Sequence, residues 1–265
     1  MLRKLFDEEK IEYFSVLDYA SCREISRDIM ARELFIPRSV ILFLIPYYVS
    51  VPQNLSIYAA SLDYHIYIRE VTGRLISALK EKFPHANFKG YGDHSPIDER
   101  DAALKGGLGI LGDSGLLINE KYGTFIFIGD IITDVDASML GGAVDLEVKT
   151  CIHCGACKKA CPTGILCACS DSCLSAITQK KGELSEEEVD LMRKFNTVWG
   201  CDMCQTSCPY NRSPAITPIE FFHKDRIELL TSDKLSSLSK DELRARAFGW
   251  RGRTVVKRNL DHLDY

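Results

Sequence analysis

Ten of the eleven cysteines in this 265-residue chain lie between residues 151 and 208. Cys151-x-x-Cys154-x-x-Cys157-x-x-x-Cys161-Pro162 opens the segment. Cys201-x-x-Cys204-x-x-x-Cys208-Pro209 closes it, with Cys173 between. Each iron of a [4Fe–4S] cube takes one thiolate, so two cubes require eight cysteines. The segment is expected to fold around two such cubes and to move electrons one at a time.

This is the spacing of two-cluster ferredoxins, in which the fourth cysteine of each motif ligates the other cluster. On that rule one cube takes Cys151, Cys154, Cys157 and Cys208. The other takes Cys161, Cys173, Cys201 and Cys204. Pro162 and Pro209 each remove a backbone N–H and turn the chain away. Structural zinc is the competing reading, but zinc modules use separated C-x-x-C pairs rather than three cysteines in a row followed by Cys-Pro. Cys167 and Cys169 are alternatives to Cys173, which is favoured because it leads a helical stretch, Leu174-Ser-Ala-Ile177. Cys22, far from the rest, reads as a packed or surface residue.

The net charge of −4 gives no argument for nucleic acid. Basic residues cluster late, at Arg244, Arg246, Arg251, Arg253, Lys257 and Arg258. A solvated face and a phosphate-binding role are both open for them. The charged N-terminus lacks a signal-peptide apolar core. The apolar run Val40–Val49 is too short to span a bilayer. A soluble, cytoplasmic protein with no membrane association is expected, and a reducing compartment suits metal-holding cysteines.

Residues 2–10 and about 22–34 read as helices, and 38–46 as a buried strand. Leu62, Ile66, Ile68, Val71, Leu75, Leu79 and Phe83 trace an amphipathic helix that Pro84 ends. A short strand over 87–92 and a helix after Pro96 through Lys105 follow. Five glycines lie between 106 and 115. Residues 116–119 and 124–128 then flank Glu-Lys-Tyr-Gly as a hairpin. Capping boxes at Ser185–Glu188 and Ser239–Glu242 open two more helices. The fold class is an α/β (α+β) body followed by a ferredoxin-like double-cluster module. The expected domains are 1–148, 149–214 and a helical tail, 215–265, packing on the core.

The stretch Gly200-Cys-Asp-Met-Cys-Gln-Thr-Ser-Cys-Pro-Tyr-Asn211 resembles the C-terminal cluster motif of epoxyqueuosine reductases. Residues 99–112, followed by Gly115-Leu-Leu-Ile-Asn119, are similar to their glycine-rich segment. Residues 58–65 and 248–260 are similar to two further family stretches. The resemblance covers most of the chain. It implies cobalamin held between the α/β body and the cluster module, and electrons passed from the clusters to cobalt. It further implies tRNA as partner, with epoxyqueuosine in the anticodon loop reduced to queuosine. Reductive dehalogenases share the core arrangement. A low-potential donor such as ferredoxin or flavodoxin is implied as well. Residues 1–148 would then bind cobalamin and substrate.

Opening an epoxide needs low-potential electrons and a proton donor, and a corrinoid cofactor carries the hard step. The family's acid aligns with Glu99, with Asp98 and Asp101 as rivals. The alternative is that Glu99 only favours the helix dipole. Gly107, Gly109 and Gly112 read either as close backbone approach to the cofactor or as a helix end and turn. They do not form a phosphate-binding P-loop. Tyr64 and His65 read as corrin contacts or as packed and solvated residues, and His65 is not taken as a cobalt ligand.

Two departures bear on the substrate. Family members carry a further helical-repeat domain that helps to hold tRNA, so this chain reads as a short homologue. The family's usual Gly-Lys is Gly112-Asp113 here. The same core acting on a small molecule therefore stays open. So do an electron-transfer protein serving a corrinoid or partner enzyme, and a cluster module on a non-catalytic body.

Overall fold

The computed structural model describes residues 1–141, 150–166 and 170–265. The chain forms two compact units. The first takes in Met1–Pro46, His65–Gly112 and Leu116–Cys151. The second takes in Tyr47–Tyr64, Asp113–Gly115 and Ile152–Tyr265. No helix among the described residues is long and apolar enough to cross a membrane.

Strands β1 (Phe14–Asp18), β2 (Ser39–Pro46), β3 (Phe88–Tyr91) and β6 (Ile126–Thr133) build the sheet of the first unit, in the order β1-β2-β6-β3. Every pairing is antiparallel. The body is thus α+β, with helices set against an antiparallel sheet. All eight residues of β2 are buried. A continuous apolar run is what a strand covered on both faces requires.

The helix Tyr64–Lys82 covers one sheet face with Ile68, Val71, Leu75 and Leu79, all buried. It lies so close that a Cβ on Gly90 would stand 2.5 Å from Thr72 Cβ. Glycine is required there by this approach of helix to sheet. The opposite face carries Val40, Leu42, Leu44 and Ile132, packed against Ile97, Ala102, Ala103 and Leu108. Alanines at 102 and 103 let the helix Glu99–Lys105 sit down on the sheet.

Two expectations change. The helix expected near 22–34 shortens to Arg27–Met30, preceded by a single 3-10 turn at Tyr19–Ser21. The apolar residues in that range do not make a buried stripe, because Ile25 and Leu34 are exposed. The hairpin over 116–128 is also rearranged. Leu117–Ile118 (β5) pairs backward with Ile110–Leu111 (β4), and Ile126–Thr133 joins the main sheet. Only the isolated Asn119↔Gly123 bridge survives of the expected pairing.

The second unit is mainly helical. Its larger core gathers Leu55, Val198, Trp199, Leu230, Phe248, Val256 and Leu260. Buried amides tie its loops. Asn54 exchanges two hydrogen bonds with Leu230, and Asn259 Nδ2 donates to the Thr178 and Val198 carbonyls at 2.7 and 2.8 Å. Both capping boxes form, at the starts of Glu186–Lys194 and Lys240–Arg244. The tail residues 215–265 belong to this unit, with the helices Ser232–Ser237 and Arg253–His262.

Candidate acid and cluster sites

Glu99 is the first residue of the helix Glu99–Lys105. Asp98 caps that helix, accepting from the N–H groups of Arg100 and Asp101, both at 3.1 Å. Arg23 pairs with the Asp98 carboxylate. Burial alone would raise Asp98, but the Asp101 N–H and the Arg23 guanidinium hold it below the usual carboxyl range. Asp98 is therefore spent as a cap. Asp101 pairs with Lys105 at 2.8 Å one turn along. Both rivals of Glu99 thus have structural duties.

Glu99 is in a different state. Burial raises its pKa, and the Asp130 and Asp93 carboxylates raise it further. Its Oε1 accepts from the Asp93 N–H at 3.1 Å. Asp93 sits at φ +65°, and His65 Nε2 lies 3.8 Å from its carboxylate. His65, Asp93 and Glu99 thus form a polar chain running inward from an exposed imidazole. Behind Glu99 lies Asp130, in the middle of β6 and fully buried. Asp130 is opposite Leu42 and Tyr91 in the register, on the sheet face that the Glu99 helix covers. Burial pushes the Asp130 pKa up as well. Burial and mutual repulsion thus both favour a proton held between the two carboxyls.

The glycine segment has internal reasons for its composition. Gly107, at φ +68°, ends the Glu99 helix. A Cβ on Gly109 would stand 2.5 Å from the Ile118 carbonyl oxygen. That glycine lets β4 and β5 lie against each other. Gly112 N donates to Leu116 O at 2.9 Å. Tyr64 belongs to the second unit, where it meets Tyr58 edge-on with ring centres 6.3 Å apart.

In the second unit, Cys161, Cys173, Cys201 and Cys204 come together. Burial pushes the Cys204 thiol up to about 12, and the neighbouring Cys201, Asp202, Cys173 and Cys161 add to the rise. Cys201 behaves in the same way, reaching about 11. Four half-buried cysteines gathered in one place, two of them raised by burial, suit a metal cluster that takes them as thiolates. Leu166 N–H points at Cys161 Sγ at 3.4 Å, a contact of the kind that tunes cluster potential. Cys157 and Cys208 also lie within mutual influence, and Cys154 is exposed. Cys173 leads the helix Leu174–Gln179, as expected. Its alternatives, Cys167 and Cys169, lie outside the described residues.

Residues 150–211 match the family described as a 4Fe-4S double cluster binding domain. An epoxyqueuosine reductase of Listeria monocytogenes is 33% identical over 207 residues, covering 75% of this chain and 53% of that protein. One from Aliivibrio fischeri is 35% identical over 196 residues, covering 71% and 50%. The chain belongs to the epoxyqueuosine reductase family. It spans about half the length of the curated relatives it matches. A solved epoxyqueuosine reductase with a tRNA-Tyr epoxyqueuosine-modified tRNA stem loop shares the fold, with a TM-score of 0.80 at 20% identity. The match covers 99% of this chain and 80% of that one. The cysteine segment accordingly binds two [4Fe–4S] clusters, and the zinc reading falls.

Against an epoxyqueuosine reductase pattern, Asp113 is the residue where the family usually has lysine. Here Asp113 Oδ1 lies 2.8 Å from His153 Nδ1, within hydrogen-bond distance. The late basic residues are also largely spent. Arg246 is buried and donates to Asp225 O at 2.5 Å. Arg253 holds the Leu235 and Leu238 carbonyls, and Arg258 those of Lys180 and Gly182. Asp130 and Asp93 were not singled out from sequence. The available signal for Asp130 was an acid inside the otherwise apolar run Phe-Ile-Gly-Asp-Ile-Ile.

Proposed function

We propose that this chain is a cobalamin-dependent iron–sulfur oxidoreductase that reduces the epoxide of epoxyqueuosine in tRNA to the alkene of queuosine. The observation that carries the proposal is Glu99, a half-buried carboxyl kept protonated by burial and by Asp130 and Asp93, in a chain that also holds two clusters. Removing an epoxide oxygen as water consumes two electrons and two protons. The clusters supply the electrons singly. One cube is held by Cys151, Cys154, Cys157 and Cys208, the other by Cys161, Cys173, Cys201 and Cys204. A ferredoxin or flavodoxin is the class of donor that reloads them.

Glu99 delivers the proton to the departing oxygen, because a protonated carboxyl is the form that can give one. Asp93 N–H holds Glu99 Oε1 and so orients the carboxyl. Cobalamin, when bound, supplies a low-potential cobalt centre for the C–O cleavage. The donor chemistry of this chain fits it. His65 and Asp93 offer exposed hydrogen-bonding groups beside Glu99 for the amide rim of a corrin. Tyr64, Gly107, Gly109 and Gly112 complete the proposed contacts.

One observation favours a second reading, in which the same core acts on a small epoxidised or halogenated molecule. Arg246, Arg253 and Arg258 are held by backbone carbonyls, which leaves fewer cations for the phosphate contacts that dominate nucleic-acid affinity. A direct test is anaerobic reconstitution with iron, sulfide and cobalamin, followed by reduction and incubation with an epoxyqueuosine stem loop. Corrin bands and conversion to queuosine, read by mass spectrometry, are expected. An untouched stem loop, under conditions where a full-length family enzyme converts it, rejects the tRNA substrate.

A further inference from the structure

We propose that Asp130 is a positioning residue that keeps Glu99 in its protonated, proton-donating form. Asp130 is fully buried in the central strand β6, where its polar neighbours are Ser95 and Glu99, and among the described residues neither carboxylate oxygen reaches a well-aligned hydrogen-bond donor. An ionised carboxylate in that setting is costly, and a packing role would be met better by an apolar residue. Its neighbours in the register are Leu42 and, on β3, Tyr91. Leu42 is flanked on β1 by Ser15, whose hydroxyl is also buried and unpaired.

Among the described residues, the groups that face Asp130 supply no compensating cation. Glu99 and Ser95 face it from the segment that leads into and opens the covering helix. Tyr19 and Cys22 face it from the turn after β1, and Tyr91 from β3. Tyr19 donates its hydroxyl proton to Glu24, and Tyr91 donates to Glu33, so neither phenol serves Asp130. On Glu99 itself the further charged neighbour is Asp93. Two carboxyls that share a water-poor site do not both ionise, so one proton stays with the pair. Asp130 is the inner member and Glu99 the outer, half-buried one. The proton that can leave is therefore on Glu99. Once it has left, two anions face each other, and that repulsion drives recovery of the proton before the next turnover.

The inference rests on the reading of Glu99 as the acid, but its test does not depend on turnover. Cluster-loaded protein carrying 13C-labelled glutamate is titrated, and the Glu99 carboxyl band is followed by infrared difference spectroscopy. The band is assigned by its loss in Glu99→Gln. In the parent protein the protonated band should persist above neutral pH. In Asp130→Asn its midpoint should fall by about one unit or more, with Asp130→Ser giving the same result if asparagine is poorly accommodated. Asp130→Glu, which restores the charge, should return the midpoint toward that of the parent. An unmoved midpoint in both neutral variants overturns the inference, whether or not the protein reduces epoxyqueuosine. A moved midpoint with no turnover of the stem loop upholds it and removes only the substrate assignment.

Discussion

Asp98 and Glu99 are adjacent in the chain and opposite in state. Asp98 is held ionised by the helix N–H groups it caps and by Arg23, although burial works against this. Glu99 is held protonated by burial and by the carboxylates of Asp130 and Asp93. One residue anchors the start of the helix, and the next uses that fixed start to hold an acid. The division follows from direction. The Asp98 side chain turns back onto its own backbone, whereas Glu99 is set against the buried strand β6.

Glu99→Gln keeps the size and removes the proton. It should retain both clusters and the fold, while stem-loop reduction falls on the order of 100-fold or more. Single-turnover conversion, with cluster absorption as the control, measures this. Unchanged turnover would take Glu99 out of the acid role.

Stability should depend on pH through the same pair. Burial raises Asp130, and burial with Asp130 raises Glu99. The folded chain therefore holds more protons than the unfolded chain at neutral pH. Stability must fall as pH climbs from the ordinary carboxyl range through the raised values. Between about pH 5 and about pH 8, thermal melting should drop further in the parent than in Asp130→Asn. Parallel melting curves would contradict the buried-pair description.

Cys173→Ser should cost one cube and leave the other. Iron content is expected to fall from about eight atoms per chain to about four. Cys167→Ser and Cys169→Ser should each keep the full complement. If either of those loses iron while Cys173→Ser does not, the eighth ligand has been assigned to the wrong cysteine.

Two glycine-to-alanine changes should differ in sign. Gly109→Ala places a Cβ 2.5 Å from the Ile118 carbonyl oxygen, a backbone atom that cannot swing away. It should destabilise by about 1–3 kcal/mol. Gly73 lies within the Tyr64–Lys82 helix with nothing within 4 Å of its added Cβ. Gly73→Ala should stabilise by about 0.5–1 kcal/mol. Denaturant unfolding of the two variants checks both.

The cluster segment was legible because metal ligation fixes local spacing. The long helix and β2 were legible because 3.6-residue periodicity and a continuous apolar run leave few alternatives. Ser185 and Ser239 announced their helices through capping boxes. What stayed hidden was non-local. Leu117–Ile118 is too short to show alternation, and nothing in its sequence says that it pairs with Ile110–Leu111 rather than forward. The Asp130–Glu99 relation spans a strand and a helix that only the sheet register brings together. For the basic tail, composition could not distinguish arginines that tie backbone carbonyls from arginines that meet solvent.

Residues 47–64 fold with the cluster-bearing unit, although about ninety residues of the other unit separate them from it in the chain. Leu55 forms a parallel bridge with Trp199. The Asp202 carboxylate, between two cluster cysteines, accepts from Ser56 Oγ at 2.8 Å and from Ile57 N at 2.6 Å. The electron-carrying segment is consequently no removable cassette. A fragment cut at residue 150 would leave behind the strip of chain on which Cys201 and Cys204 are braced, and a fusion that grafted it onto another protein would need to import that strip as well.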